Sequence, residues 1–422
     1  MERKLLTAIT RKKTINIGNE ALSSELINIL QKIALPSEKM VKSLERAPKH
    51  LSKFSWQSLN IPAAERIAKI EGWISQLSHI EPVVTEKNNE NGVQLVFEKP
   101  QNKKIISIKE RLQLRRIAAE LGFYRDEFSM RLGDYSRSSC VILNPAGELN
   151  PHSIDPPLRM MMELMTAKRM GSRVGVVNFS YEITQPELAP VFGYLFNQCD
   201  FVCIRDSLSK QILLDSGVSN AKITLVPDLV FMAEPCKRFD STQAMAALKL
   251  DPHSSVAVVI NGKTGLSSPE DWVSLIELIH KTGKKAVLMS NELSSDLNFL
   301  KQVAAASGAL LVDRQYSYKE YSALLSKFSL VVSNRLHTCI LAMVAGTPVV
   351  AIEPILRKVR GALFDVGYPL PVPSVREQDW VMTAWQAFQR ADHDRNQITS
   401  DIRSIVMTAR EKISENYAQL IH

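Results

Sequence analysis

The sequence predicts an α/β protein of two Rossmann-like domains with parallel sheets, facing each other across a cleft. Three observations carry that reading. Short apolar runs bounded by turn residues alternate with runs of helical period through the second and final parts of the chain, as parallel strands joined by crossover helices require. The chain has 422 residues, more than a single hydrophobic core usually serves. The rhythm breaks at 235–240, which divides a first domain, 1–235, from a second, 236–422.

In the first domain a strand is expected at 4–9, then a loop through Asn16, Ile17, Gly18 and Asn19, and a helix at 20–33 stopped by Pro36. Residues 37–80 read as helical and irregular, with Trp56 and Trp73 as core pieces, and the polar tract 81–104 reads as an exposed loop. Next come a strand at 140–143, a helix at 157–170, a strand at 173–178 and a helix at 187–197. Met160, Met161, Met162, Met165 and Met170 fit as fillers of irregular core gaps. A strand at 201–204, a helix at 208–216 closed by Gly217, and a strand at 221–226 ending in Pro227 and Asp228 complete this half. The second half supplies strands at 256–260, 285–289, 310–312, 330–332 and 349–352, with final helices near 379–390 and 400–418 that pack back toward the hinge.

Composition narrows the class. Apolar residues make up 45% and charged residues 23%, values of an ordinary globular protein. The longest apolar stretches, such as 344–352, are too short to cross a bilayer, and the basic start 1–13 has neither a signal-peptide core nor a cleavage site. A cytoplasmic protein is expected. The cysteines at 140, 199, 203, 236 and 339 have no paired spacing and read as reduced apolar fillers. The eight histidines are scattered, so no metal site is expected. Lys and Arg outnumber acids 52 to 44, giving +8 and a pI near 9.1. Nucleic acid is not the expected partner, because the aromatics are not interleaved with the charges. The basic run 109–116, with Arg111, Arg115 and Arg116, suits a solvated helix face or a peripheral contact with the inner face of the membrane.

The chemistry concentrates at two strand ends. Ser333, Asn334, Arg335, Leu336 and His337 stand between the apolar run 328–332 and the helical run 340–345, so a permanent cation and a titratable imidazole meet at a helix start. Such a position suits an anion, since unpaired amides and a partial positive charge already face it. Arg205 repeats the arrangement after the strand 201–204, with Asp206 or Ser207 placed to cap the helix that follows.

The segments "FVCIRDSLSKQILLDSGV", "ITLVPDLVF" and "LVVSNRLHTCILAMVAGTPVVAIEP", followed by Lys358, resemble the polysaccharide pyruvyl transferase family in order and spacing. "TINIGNEAL" is similar to that family's opening Gly-Asp-Glu-Ala turn. The resemblance spans roughly 14–30 and 139–366 and lapses across about 36–135, a divergent insertion that suits a lid, an acceptor-recognition element or a membrane-docking piece. It implies a GT-B-like fold and a reaction in which phosphoenolpyruvate gives its pyruvate to two hydroxyls of a sugar, in a cell-surface polysaccharide or its lipid-linked precursor. Arg205 and Arg335, one from each domain, then bind the donor's carboxylate and phosphate. His337 supplies the proton for the methylene carbon, or serves only as an anion-binding imidazolium.

Lys358 neutralises the departing phosphate, with Arg357 and Arg360 as alternatives. Asn334 and Glu353 join the substrate-binding set, as does Asn19, which stands where the family has Asp and cannot act as a base. The acceptor base is then Glu20, with Asp228 and Glu148 behind it. Addition to an enol ether followed by phosphate loss needs no redox partner, so no cofactor is expected beyond the donor itself. Two other readings stay open. One is a GT-B glycosyltransferase in which Glu353 holds the ribose of a nucleotide sugar and Arg335 its diphosphate, with 261–265 a weak candidate loop. The other is a glycan-binding relative without turnover.

Overall fold

The structure is a computed structural model that describes residues 5–11, 14–34, 40–45, 62–77, 87–89, 92–94, 108–146, 149, 155–182, 186–262, 267–354 and 358–421. Trp56, Glu148, Arg357 and residues 263–265 lie outside them. The first half runs β1 (Leu5–Thr10), α1 (Ile17–Ile33), β2 (Met40–Glu45), α2 (Ala63–Leu77), a two-stranded hairpin of β3 (Lys87–Asn89) and β4 (Gly92–Gln94), α3 (Ile108–Leu121) and α4 (Arg125–Arg137). It continues through β5 (Ser138–Leu143), α5 (Asp155–Arg169), β6 (Arg173–Phe179), α6 (Ala189–Gln198), β7 (Phe201–Ile204), α7 (Ser207–Asp215) and β8 (Ile223–Leu225). Six strands form one parallel sheet in the order β2-β1-β5-β6-β7-β8. Every residue of β1 and β7 is buried, the pattern of strands covered by helices on both faces.

The second half runs α8 (Ser241–Ala247), β9 (Ser255–Val259), α9 (Pro269–Lys281), β10 (Lys285–Met289), α10 (Leu293–Ser307), β11 (Leu310–Leu311), α11 (Tyr318–Leu325), β12 (Leu330–Ser333) and α12 (Leu336–Val344). β13 (Val349–Ala351), α13 (Lys358–Asp365), α14 (Trp380–His393) and α15 (Arg395–Ile421) complete it. Its parallel sheet has the order β11-β10-β9-β12-β13. In both sheets the chain reverses its lateral direction once, between β1 and β5 and between β9 and β12. Open α/β sheets bind ligands beyond the carboxyl ends of the strands at such points.

Two apolar cores support these layers. One lies on the α2, α5 and α6 side of the first sheet, with Trp73, Phe128, Met161, Phe192 and Phe196. The other is continuous from the α1 side of the first sheet, through Leu22, Leu26 and Phe231, into the second sheet and the final helices. α15 ties the halves together. Arg410 donates to the carbonyls of Phe231 (2.8 Å) and Ala233 (2.7 Å), and Arg173 donates to Ile421 O at 2.9 Å.

Three local differences from the sequence reading bear on the site. α1 begins at Ile17 instead of residue 20, because the Asn16 side chain accepts from Asn19 N and caps the helix, so the expected loop is its first turn. Within 37–80, read as helical, Met40–Glu45 is an edge strand beside β1. Its apolar residues are few. Val41 packs toward one core and Leu44 toward the other, while Lys42 pairs with Asp134 at 2.7 Å. α4 was not anticipated, although Phe128, Leu132 and Tyr135 bury one face of it.

Candidate active site

The site forms where the ends of β7 and β12 meet. β7 is apolar up to Ile204, and the next residue, Arg205, is buried at 2% exposure. Its Nε donates to Ser180 Oγ at 2.9 Å, and its Nη1 donates to Asp228 Oδ2 at 2.6 Å and stands 3.3 Å from His337 Nε2. Arg205 and His337 come from opposite sheets, so this contact spans the cleft. The same Nε2 lies 3.6 Å from Asp228 Oδ2, so it stands between a donor and an acceptor, and which of the two it bonds follows from the protonation of the ring.

His337 is the second residue of α12 and its side chain is 16% exposed. Burial pushes its pKa below the ordinary histidine value, Asp228 opposes that, and the charges of Arg205 and Lys358 reinforce it. Burial thus favours the neutral imidazole. Asp228 behaves oppositely. Burial acts to raise its pKa, but Arg205, His337 and the Val230 N–H outweigh it and hold the carboxyl well below the usual range. With its oxygens occupied by Arg205 and Val230, Asp228 is a weak base.

Arg335 faces elsewhere. It is ion-paired with Asp296 in the first turn of α10, its Nη1 lies 3.9 Å from Glu292 Oε2, and its Nε has no partner among the described residues. Asn334 Oδ1 accepts from Asn261 N at 2.6 Å and so bridges the reversal point between β9 and β12, leaving its Nδ2 unpartnered among the described residues. Lys358 opens α13, half-buried, and its charge is felt at both His337 and Glu353. With Ser180, Tyr181, Asp206, Leu208 and Arg376 it lines a cleft of ≈ 590 Å³ beside Arg205.

Glu353 is 2% exposed and accepts from the amides of Val359 (3.4 Å) and Arg360, so it holds the start of α13. Burial pushes its pKa up to about 7 against those amides and the nearby Arg360 and Lys358 charges. Arg360 is committed to Val372 O (2.7 Å) and Glu377 (2.8 Å). Glu20 accepts from Tyr318 N at 3.1 Å across the interface, and burial raises its pKa despite that bond. Asn19 is half-buried in the same helical turn, its amide bonded to Asn16 Oδ1 at 3.1 Å.

The structure thus brings Arg205, Asp228 and His337 into one cluster, with Lys358 nearby, and sets Arg335 with Asp296. Two neighbours were not singled out from the sequence. Gly18 lies against the imidazole so closely that a Cβ there would stand 2.0 Å from Nδ1. A glycine in the first turn of a helix is the available signal for such an approach. Asn178, near the end of β6, has φ 57° and bonds the loop that carries Asp228, and nothing in the sequence marks it. Among the described residues no group of three or more His, Cys, Asp or Glu is arranged to hold a metal ion, and no helix is long and apolar enough to cross a membrane.

Similar solved structures establish the architecture. A glycosyltransferase from Rickettsia africae superposes with a TM-score of 0.58 at 10% identity, covering 100% of this chain and 99% of that one. α,α-Trehalose 6-phosphate synthase from Burkholderia multivorans gives 0.55 at 9% identity, covering 100% and 98%. HepE from Anabaena, in complex with UDP-glucose, gives 0.54 at 9% identity, covering 99% and 98%. At such identities the likeness concerns the fold, which is GT-B. No curated protein gives a significant match. The sequence model of the polysaccharide pyruvyl transferase family matches residues 16–354, and the chain belongs to that family.

Proposed function

We propose that the protein transfers pyruvate from phosphoenolpyruvate to two hydroxyls of one sugar in a cell-surface polysaccharide or its lipid-linked precursor, forming a cyclic ketal and releasing phosphate. The observation supporting this reading is the contact between Arg205 and His337 across the cleft. A fixed cation holds the donor's anionic groups beside an imidazole whose burial favours the neutral form. Arrival of a multiply charged anion opposes the effects that depress the His337 pKa, so the substrate itself brings the acid into its protonated form.

His337 then gives its proton to the methylene carbon, and C2 gains oxocarbenium character. One sugar hydroxyl adds at C2, the C2–O bond to phosphate breaks with its electron pair on the phosphate, and the second hydroxyl closes the ring. Of the two hydroxyl protons, one replaces the proton spent on the new methyl group and the other leaves with phosphate. Arg205, and Lys358 at the mouth of α13, neutralise the charge that collects on the leaving group. Glu20, with a raised pKa and a place in the turn beside His337, is the acceptor-side base in this proposal. Arg335 acts through the fixed position of α12 and through whatever charge Asp296 leaves uncompensated. Asn19 and Asn334 lie in the same two turns as polar substrate contacts. A lipid-linked acceptor would bring the enzyme to the inner membrane face, where the exposed Arg115 and Arg116 of α3 suit an anionic surface.

The test is phosphate release from phosphoenolpyruvate over a panel of glycan and lipid-linked acceptors, with UDP-sugars run in parallel. Release of phosphate that requires both donor and acceptor supports the proposal. Binding of UDP-sugars without binding of phosphoenolpyruvate replaces it with nucleotide-sugar transfer, and binding of glycan without any turnover replaces it with a non-catalytic role.

A further inference from the structure

Three features meet at Asn178. Its φ of 57° is left-handed, a conformation that residues with side chains avoid and Asn tolerates best. The register between β6 and β7 shifts at this point, with Val177 opposite Cys203 and Phe179 opposite Ile204, so Asn178 is the extra residue of a bulge. At 2% exposure its side chain is buried, and only half of it is satisfied. Oδ1 accepts from Leu229 N at 2.7 Å, which fixes the orientation of the amide and makes Nδ2 the donor. That Nδ2 is buried without a partner among the described residues.

The residues bonded to and flanking Asn178 belong to the reaction centre. Leu229 directly follows Asp228, the partner of Arg205 and His337. On the other side of Asn178 along β6, Phe179 O accepts the Arg205 N–H at 3.3 Å and Ser180 Oγ accepts Arg205 Nε at 2.9 Å. A strained residue and a buried unpaired donor at one position are features that persist where a ligand repays them. Arg205 is already matched in part by Asp228, so a neutral donor beside it strengthens anion binding without adding charge to be neutralised in the empty site.

We infer that Asn178 Nδ2 donates a hydrogen bond to an anionic oxygen of the donor substrate, carboxylate or phosphoryl, when the cleft is occupied. This rests on the pyruvyl-transfer reading. Asn178 is then a substrate-binding residue, placed by the bulge and lying outside the strand-end motifs that the sequence marks.

The experiment measures binding of phosphoenolpyruvate, pyruvate and inorganic phosphate to full-length wild type and to Asn178→Gly, with melting temperature and the NMR titration of His337 as controls. Glycine accepts the left-handed backbone at no steric cost, so the variant separates the side chain from the strain. The expected result is a loss of phosphoenolpyruvate affinity of about 10–100-fold, the worth of a hydrogen bond to a charged group, with His337 titrating as in wild type. A loss shared by pyruvate and not by phosphate identifies the carboxylate, and the reverse identifies the phosphoryl group. Affinity within twofold of wild type overturns the inference, since an ordered water then satisfies the donor. A His337 titration that moves in step with the affinity also overturns it, because Asn178 then acts through Asp228. Independently of the variant's folding, the Asn178 side-chain amide resonances of wild type must shift on addition of phosphoenolpyruvate, and resonances that stay fixed overturn it as well. Wild type that binds no phosphoenolpyruvate removes the donor reading and this contact with it, an outcome distinct from equal binding by both proteins.

Discussion

A methyl group added to Gly18 would lie 2.0 Å from His337 Nδ1 and 2.6 Å from its Cγ. The first turn of α1 and the imidazole, which come from different sheets, therefore occupy a contact that no larger residue can share. The requirement is one of space, since the position lies inside a regular helical turn. Gly18→Ala is expected to displace either the ring or α1, costing about 1–3 kcal/mol as overpacking does. Because a shift of about 1 Å can cost ~10²-fold in rate, phosphate release should fall far more than the melting temperature does. Both are read on the same purified variant, and wild-type turnover would show that this contact does not position the imidazole for the chemistry.

His337 also gives a pH prediction with a definite sign. Its pKa in the folded, empty protein lies below the ordinary histidine value, so between those two values the unfolded chain binds more protons than the native one. Stability attributable to this residue is thus complete above that window and is lost as pH falls through it. Substrate has the opposite effect, raising the pKa and drawing a proton onto the ring. Calorimetric titration with phosphoenolpyruvate at pH 7, in buffers of different ionisation enthalpy, should report net proton uptake that disappears in His337→Gln. The same variant should lose about 10²–10⁴-fold in phosphate release while still binding the donor, as removal of a general acid does.

The sequence exposed the strand ends and concealed their pairings. Arg205 and His337 were legible because each follows an apolar run that ends abruptly, and a cation or imidazole at such an end has few structural uses. The partners were not legible, since Asp228 lies 23 residues from Arg205 and Asp296 lies 39 from Arg335, and only the closed sheets bring them together. The same reason hid the true start of α1. Asn16 looks like a loop residue until its side chain is seen to cap Asn19 and its Nδ2 to reach Glu292 at 2.9 Å in the other half. β2 escaped because an edge strand needs little apolar periodicity, whereas the interior strands β1, β7 and β12 announce themselves as continuous runs.

Glu353 makes stability fall as pH rises. Its pKa is pushed from 4.5 up to about 7, so between those values the folded protein holds a proton that the unfolded chain releases. The linked loss on going from pH 4.5 to above 7 is on the order of 3 kcal/mol. Glu353→Gln carries no charge to bury and keeps an oxygen for the α13 amides. Thermal melts from pH 5 to 8 should therefore decline more steeply for wild type than for the variant, and parallel curves would mean that the carboxyl is ionised throughout. Since Lys358 begins the helix that Glu353 holds, donor affinity in wild type should change over the same interval and do so less in the variant.

Arg335 separates a structural from a binding role through its partner. Asp296 is fully buried, and removing the guanidinium leaves it uncompensated. Arg335→Ala should cost about 3–5 kcal/mol, the usual penalty for breaking a buried pair by deleting one member. Replacing both, as Arg335→Leu with Asp296→Asn, should recover most of that loss, because the isosteric amide carries no charge and keeps an oxygen for Gly262 N. Chemical denaturation of the three variants measures this. Phosphoenolpyruvate binding in the double variant then isolates the anion-binding contribution of Arg335. Affinity that returns with stability confines the residue to scaffolding, whereas stability restored without affinity requires that its charge reach the donor.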